Sequence, residues 1–214
     1  MIPNQPFRPA PASARDKLLE AGVKLVRQQG FAGTSVDQLC ADAGVTKGAF
    51  FHHFASKEAL GVALAHYWSS STSAFFASAP FHLLPDPLDR VLGYIDLRIA
   101  LLTGPAESFS CVAGTMVQEA FSTSAPIRAA CHTSITGNAH ALEDDLAEAI
   151  AQSSAKGVTA VGLAQHVQTV IQGAFVLAKA SGPDNAAETA RAELRHLRRY
   201  FELLLTTGTT EKTP

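Results

Sequence analysis

Basic, hydroxyl-bearing and aromatic residues are concentrated between residues 34 and 57, and their side chains could bind nucleic acid. A lysine ammonium group can donate hydrogen bonds to the O6 and N7 atoms of guanine, and hydroxyl and imidazole groups can donate to phosphate oxygens. Small residues next to such a lysine let a helix approach base edges closely. The candidate contacts with DNA are Thr34, Ser35, Thr46, Lys47, Gly48, Ala49, Phe51, His52, His53 and Lys57.

Two short helices with a tight turn between them are predicted to position these side chains. Over 36–43, apolar residues recur three and four positions apart, which is the pattern of one buried helix face. Gly44 ends this helix, because glycine enters the left-handed conformation without steric cost. In the second helix, over 47–53, Phe50 points inward together with Phe54, and the basic residues lie on the opposite face. This is the pattern of a helix-turn-helix DNA-binding motif.

The run from Gly44 to Leu60, GVTKGAFFHHFASKEAL, resembles the DNA-binding signature of the TetR family of bacterial repressors, and the resemblance extends over 15–64. The family usually has tyrosine at the position of Phe51, where the hydroxyl commonly contacts a DNA phosphate. Phe51 cannot form that bond. The resemblance implies a homodimeric transcriptional repressor that binds a palindromic operator in double-stranded DNA, is released by a small-molecule inducer and needs no cofactor.

Within this signature five of the candidate contacts have an expected role. We expect Lys47 to read guanine in the major groove and Ala49 to contact a thymine methyl group. We expect Thr34, at the start of its helix, to offer its hydroxyl and the helix N-terminal amides to a phosphate. His53 and Lys57 are expected to contact phosphates as well.

The distribution of charge supports the same interpretation, although the whole chain is close to neutral at −2. Residues 1–60 hold seven Lys and Arg against five Asp and Glu, so the small basic excess lies in the part that would meet phosphates. Three cysteines are too few and too scattered for a disulfide framework or a zinc site. Neither an apolar run of roughly eighteen residues nor a signal-peptide pattern is present, which predicts a cytoplasmic protein with no membrane partner.

All predicted elements are helices, so the predicted fold class is all-α with about nine helices. We predict a flexible N-terminal arm over 1–12, a three-helix helix-turn-helix domain over 13–60, a helical ligand-binding and dimerisation bundle over 61–206, and a flexible tail over 207–214. The helices predicted after the motif, from proline and glycine breaks and apolar periodicity, cover 56–78, 88–102, 110–121, 126–152, 159–180 and 185–205.

The resemblance also implies a small-molecule pocket and a dimer interface in the C-terminal bundle. Its candidate pocket residues, each of which core packing would explain equally well, are Tyr94, Phe109, Cys111, Met116, Gln118, Phe121, His132 and His166. The last two helices are expected to pair with their copies in a second chain. The apolar residues predicted to be buried in that interface are Phe175, Leu194, Leu197 and Phe201.

The segment 110–119 resembles the start of the sixth helix in the electrophile-sensing, NemR-like branch of the family. Cys111 would lie at a helix N-terminus, where the helix dipole and free amides stabilise a thiolate. This position suits a sensor of reactive small molecules, with Cys131 as a candidate resolving thiol. The alternative is a buried, unreactive cysteine that acts as a small apolar residue.

No catalytic residues, metal ligands or cofactor motifs are predicted, so an enzyme is not expected. One Glu193-x-x-His196 pair resembles half of the di-iron site of a helical bundle, which needs two such pairs on different helices. A helical-bundle metalloenzyme is therefore one alternative function. The other is a helical DNA-binding protein that has no inducer.

Overall fold

The computed structural model of the chain describes residues 13–206, which form ten α-helices, two short 3-10 helices and no strand. The all-α class predicted from the sequence is confirmed. The arm and the tail predicted over 1–12 and 207–214 lie outside the described residues. The α-helices are α1 (Ala14–Gln29), α2 (Val36–Ala43), α3 (Lys47–His53), α4 (Lys57–Ala77), α5 (Pro87–Leu101), α6 (Val112–Ala120), α7 (Ala125–His140), α8 (Glu143–Gln152), α9 (Ala160–Ala180) and α10 (Ala186–Leu205), and the 3-10 helices are Pro80–Leu83 and Ala106–Ser108.

The described residues divide into two compact units. One contains residues 13–77 and 105–137, and the other contains residues 78–104 and 138–206. The helices α4 and α6 therefore belong to the same unit as the helix-turn-helix motif, although the sequence predicted a domain boundary after residue 60. The reason is that α6 packs against both α1 and α4. The functions predicted for the two domains stay predictions.

The core of the first unit forms where α1, α4 and α6 pack together. Each helix contributes fully buried side chains, among them Leu18, Leu64 and Met116. Burying a side chain of this size stabilises the fold by roughly 1.5–3 kcal/mol. Gly22 of α1 allows the close approach of α4, because a Cβ atom at Gly22 would lie 2.6 Å from the side chain of Leu64.

In the second unit, α10 packs against α9 and α5, and α8 packs against α5 and α9. The single helix predicted over 126–152 is wrong, because α7 ends at His140 and α8 begins at Glu143. Acidic residues in the first turn of α8 favour a new helix N-terminus here, since negative charge interacts well with that end of the helix dipole. One of them, Asp145, forms a 2.6 Å ion pair with Arg90 of α5, which ties α8 to α5.

Candidate nucleic-acid interface

The first helix of the motif, α2, has both of its ends fixed by its own sequence. At the N-terminus, the hydroxyl of Ser35 accepts the amide hydrogen of Gln38 at 3.1 Å, and the side chain of Gln38 accepts the amide hydrogen of Ser35 at 2.8 Å. This capping box satisfies two amides that a helix end leaves free. At the C-terminus, Gly44 adopts φ 63° and ψ 39°, as predicted from its type. The turn after Gly44 sets the direction of α3.

The second helix of the motif, α3, has one buried face and one exposed face, as the sequence predicted. Phe50 and Phe54 are buried with their ring centroids 5.7 Å apart. The hydroxyl of Thr46 caps the helix by accepting the amide hydrogen of Ala49 at 3.1 Å. Phe51, on the other face, keeps 55% of its surface exposed.

The outer face of α3 also exposes Lys47, Gly48 and His52, whereas Ala49 and His53 are half-buried. A Cβ atom at Gly48 would meet only the hydroxyl of Thr46, at 3.7 Å, which is an ordinary contact distance. The fold therefore has room for a larger residue at this position. A glycine that packing does not require leaves the helix surface open to close approach by another molecule.

The ammonium group of Lys47 lies 2.7 Å from a carboxylate oxygen of Asp37 in the first turn of α2. Both side chains are exposed, at 59% and 70%. Hydrogen bonding to Asp37 and the nearness of its charge raise the pKa of Lys47, so the lysine stays cationic. The sequence did not predict this pair, because the two residues are ten positions apart and lie on different helices.

The predicted role of Thr34 is wrong for its side chain. Thr34 is only 1% exposed, and its hydroxyl donates a hydrogen bond to the carbonyl of Gly30 at 2.7 Å. The helix begins at Val36 with Ser35 as its cap, so Thr34 lies before the helix rather than at its start. A buried hydroxyl that is already hydrogen-bonded cannot reach a phosphate. Ser35, the cap residue of α2, is exposed.

Lys57 is half-buried and partly engaged inside the first unit. Its ammonium group donates to the carbonyl of Ala32 at 3.2 Å and lies 4.6 Å from the ring centroid of Phe31. Burial lowers the pKa of Lys57, and the nearby charge of Glu119 opposes that change. Contact of Lys57 with a phosphate stays a prediction, since an ammonium group has further hydrogens to donate.

Glu119, near the end of α6, contacts the link between α1 and α2, and sequence reasoning did not identify it. Its carboxylate accepts the amide hydrogen of Ala32 at 2.6 Å. Gly30 makes room for it, because a Cβ atom on Gly30 would collide with the same carboxylate, and Gly30 also has a positive φ of 82°. This contact fastens α6 directly to the helix-turn-helix motif.

The eight residues predicted to line a ligand pocket do not lie in one unit. Tyr94 and His166 belong to the second unit, and the other six belong to the first. Tyr94, Cys111 and Met116 are buried, Phe109 is half-buried, and Gln118, Phe121, His132 and His166 are exposed. Their joint role as a pocket stays a prediction.

Cys111 is the N-cap residue of α6, which agrees with the helix N-terminus predicted for it. Its sulfur accepts the amide hydrogen of Gly114 at 3.3 Å, and the side chain is buried. Cys131 is fully buried, and burial raises its pKa to about 12. Because thiol–disulfide chemistry proceeds through the thiolate, this pKa makes Cys131 a poor resolving thiol in the native state.

The four residues predicted to form a dimer interface are buried in their own chain, and that prediction is wrong. They are Phe175, Leu194, Leu197 and Phe201. The apolar seam of α10 is used inside the chain, because α10 packs against α9 and α5. A different set of large apolar side chains is exposed on these two helices, namely Val161, Val176, Leu177, Tyr200 and Leu203.

Of these residues, Val176, Leu177, Tyr200 and Leu203 belong to a second helix face, which we call the outer face of α9 and α10. Along α9 its exposed positions recur at helical spacing, at Gly162, His166, Thr169, Gly173 and Val176. The ring of His166 lies 5.2 Å from that of Tyr200, which joins this row to α10. Among residues 13–206, α9 is the one helix long and apolar enough to cross a membrane by length and composition alone. Core packing on one side and the outer face on the other account for that composition.

Within residues 13–206, no group of three or more His, Cys, Asp or Glu side chains is arranged to hold a metal ion. The Glu193-x-x-His196 pair lies on α10. The surface with the best-defined chemistry in this part of the chain is therefore the exposed side of α3 with the N-terminal turn of α2.

Comparison of the sequence with known proteins finds its strongest similarity in the segment that contains α2 and α3. The model of bacterial regulatory proteins of the tetR family matches residues 18–64. The repressor NemR of Escherichia coli K12 is 48% identical over 50 residues, which are 23% of this chain and 25% of NemR. The regulator LmrA of Bacillus subtilis is 25% identical over 166 residues, which are 77% of this chain and 85% of LmrA. Matches to NemR and to the Bacillus subtilis regulator YerO span only a quarter or less of each relative's own length.

Comparison of the folds extends the similarity to most of the chain. A TetR-family regulator from Agrobacterium tumefaciens superposes with a TM-score of 0.76 at 22% identity, over 89% of this chain and 98% of that protein. The reduced form of Escherichia coli NemR superposes with a TM-score of 0.70 at 26% identity, over 86% of this chain and 97% of that protein.

Proposed function

We propose that this chain, which belongs to the TetR family of bacterial transcriptional regulators, is a homodimeric repressor that binds a palindromic operator and is released by a small-molecule inducer. Family members are DNA-binding regulators rather than enzymes. Matches to proteins named repressors, such as NemR of Escherichia coli and DhaR of a Mycobacterium species, support repression. The proposal places the protein in the cytoplasm with its operator.

One observation carries the DNA-binding part of the proposal, and it is the division of α3 into two faces. The face with Phe50 and Phe54 is buried, so the helix cannot rotate. The opposite face presents Lys47 and Phe51 next to a glycine that packing does not require. A rigid helix with a basic, closely approachable face matches what the major groove admits.

The test is DNA binding by variants of the exposed face, measured on a duplex that the wild-type protein selects from a random library. Lys47→Ala should weaken binding to that duplex by about 1–3 kcal/mol, because a lysine that donates to guanine is lost. Lys156→Ala is the matched control, since Lys156 is an exposed lysine in the second unit. Unchanged preference of the Lys47 variant for the selected duplex over a scrambled one would refute base reading by Lys47.

The dimer part of the proposal rests on the outer face of α9 and α10. Two copies of this face can pack as a four-helix bundle, because its row along α9 includes small residues such as Gly162 and Gly173. No atom lies within 4 Å of a Cβ built at Gly173, so another helix can approach there. A palindromic operator has two half-sites, and a two-fold dimer supplies one α3 helix for each of them.

The inducer part of the proposal assigns electrophile sensing to Cys111. Its place as the N-cap residue of α6 and the resemblance of the segment 110–119 to the electrophile-sensing branch of the family support this assignment. A quinone would add to the thiolate, with a new carbon–sulfur bond forming and a proton completing the hydroquinone ring. Cys111→Ser should abolish release of DNA by a reactive quinone while leaving DNA affinity unchanged.

Two alternatives are separated by the same measurement. Release of DNA from the Cys111→Ser variant as from wild type would make Cys111 a structural residue and the inducer a non-covalent ligand. Failure of every tested electrophile and candidate ligand to release the wild-type protein would favour a DNA-binding protein that has no inducer.

A further inference from the structure

An acidic residue lies on the surface that should face DNA phosphates. Asp37 is in the first turn of α2, and its exposed carboxylate is 2.7 Å from the ammonium group of Lys47. The carboxylate interacts well with the N-terminal end of the α2 dipole, which explains why the helix tolerates it. Helix stability does not explain why it is paired with the first residue of α3.

We propose that Asp37 is a specificity-determining residue that neutralises Lys47 on non-specific DNA and releases it to a guanine on the operator. The inference deepens the proposed function and rests on binding of α3 to DNA. An exposed ion pair is weak, so releasing Lys47 costs only about one- to fivefold in affinity. Guanine offsets this loss of affinity, because its O6 and N7 atoms offer Lys47 two hydrogen-bond acceptors in place of Asp37.

On non-specific DNA no guanine lies in register with Lys47, so the lysine meets phosphates, and there the pair acts as a neutral unit. A lysine paired with a carboxylate releases no counterion from DNA, and the carboxylate itself is repelled by the phosphate backbone. The pair therefore lowers non-specific affinity more than operator affinity. The Asp37–Lys47 pair thus discriminates operator from non-specific DNA by disfavouring the non-specific DNA, a device that naturally specific proteins commonly use.

Removal of the carboxylate should relax this discrimination. Asp37→Asn keeps the size of the side chain and frees Lys47 for phosphates. Non-specific affinity should rise by about three- to tenfold, and the plot of log affinity against log salt should steepen by roughly 0.9, the slope expected for one additional phosphate contact. Operator affinity should change less, so the ratio of operator to non-specific affinity should fall by at least about threefold.

The chain provides a matched control on the same helix. Asp42, also in α2, forms an ion pair with Lys24 of α1, which is not on α3. Asp42→Asn removes the same charge from the same unit, so any effect of net charge alone should appear equally in both variants. We expect Asp42→Asn to leave the affinity ratio unchanged.

The experiment measures binding of the full chain and its variants to a duplex selected by the wild-type protein and to a scrambled duplex of equal length, across a salt series. Asp37→Asn should have no effect on the affinity ratio when Lys47→Ala is already present, because the effect acts through Lys47. Asp37→Ser serves as a second variant if thermal melting shows that Asp37→Asn is poorly folded.

The outcomes separate this inference from the proposed function. A wild-type protein with no salt-dependent binding to any duplex would refute the proposed function. Wild-type binding with equal affinity ratios for the Asp37→Asn and Asp42→Asn variants would overturn the role of Asp37 alone. A reduced ratio that persists unchanged in the Lys47→Ala background would also overturn it.

Discussion

At the scale of single residues, Phe51 departs from the TetR signature that the run from Gly44 to Leu60 resembles. Its ring is 55% exposed and packs edge-on against Phe50, with centroids 5.1 Å apart. Phe51→Tyr would add a hydroxyl to a side chain on the exposed face of α3 and leave the buried Phe50 and Phe54 unchanged. If the ring tip faces a phosphate, DNA binding should tighten by up to about 1.5–3 kcal/mol, the range for hydrogen bonds to charged groups. Fluorescence anisotropy with a labelled duplex measures this change, and equal affinity of the two proteins would show that the ring tip faces away from the backbone.

Cys131 gives a second prediction at this scale, because burial raises its pKa from 9.0 to about 12. The thiol of Cys131 therefore loses its proton at a lower pH in the unfolded chain than in the folded chain. The contribution of Cys131 to stability is therefore complete below pH 9 and decreases as pH rises towards 12. Urea unfolding at pH 8 and at pH 10.5 should show a smaller loss of stability for Cys131→Ala than for wild type. An equal loss in both proteins would mean that Cys131 ionises freely in the folded state.

At the scale of elements, α6 is fixed to the helix-turn-helix motif through Glu119. The carboxylate of Glu119 accepts the amide hydrogen of Ala32 at 2.6 Å. A second carboxylate in the same unit, that of Glu58 in α4, accepts the hydroxyl hydrogen of Ser124, which lies just before α7, at 2.6 Å. Displacement of α6 by a bound inducer would therefore act directly on the link between α1 and α2. This contact connects the proposed sensor, at the start of α6, with the proposed DNA-binding surface.

Glu119→Ala should lower the free energy of unfolding by about 1.5–3 kcal/mol, because a hydrogen bond to a charged group is lost. Gln118→Ala is the neighbouring control, since Gln118 is exposed and its side-chain amide donates to the carbonyl of Gly114 within α6. It should change stability by less than about 0.5 kcal/mol. Urea unfolding measures both values, and equal effects of the two substitutions would contradict a special role for Glu119.

At the scale of the whole molecule, the outer face of α9 and α10 should hold two copies of the chain together. Leu203→Arg should give a folded monomer, because Leu203 is 67% exposed in the single chain and would be buried between copies. Leu83→Arg is the control, since Leu83 is also highly exposed but lies outside α9 and α10. Light scattering after size exclusion gives the masses. A wild-type monomer at micromolar concentration, or a dimeric Leu203→Arg variant, would refute the proposed interface.

The sequence predicted most helices closely, because local signals mark their ends. Ser13 and Thr46 act as side-chain caps, and Gly44 takes the left-handed conformation after α2. The break between α7 and α8 was missed, because neither glycine nor proline marks residues 141–142. Acidic residues in the first turn of α8 and the ion pair between Asp145 and Arg90 are found where the new helix starts. An ion pair with another helix leaves no pattern in the local sequence, so the break could not be predicted from it.

The sequence by itself determined the all-α class, the helix-turn-helix motif and the two faces of α3, because periodicity and capping act within a few residues of the chain. Only the tertiary structure decided which apolar stripe is used inside the chain and which stays exposed. The seam containing Leu197 has the same spacing whether its partner is α9 of the same chain or a second copy. Likewise, only the fold brings Asp37 to Lys47 and Glu119 to Ala32, since charge pairs and side-chain-to-amide bonds between separate elements depend on distance in space.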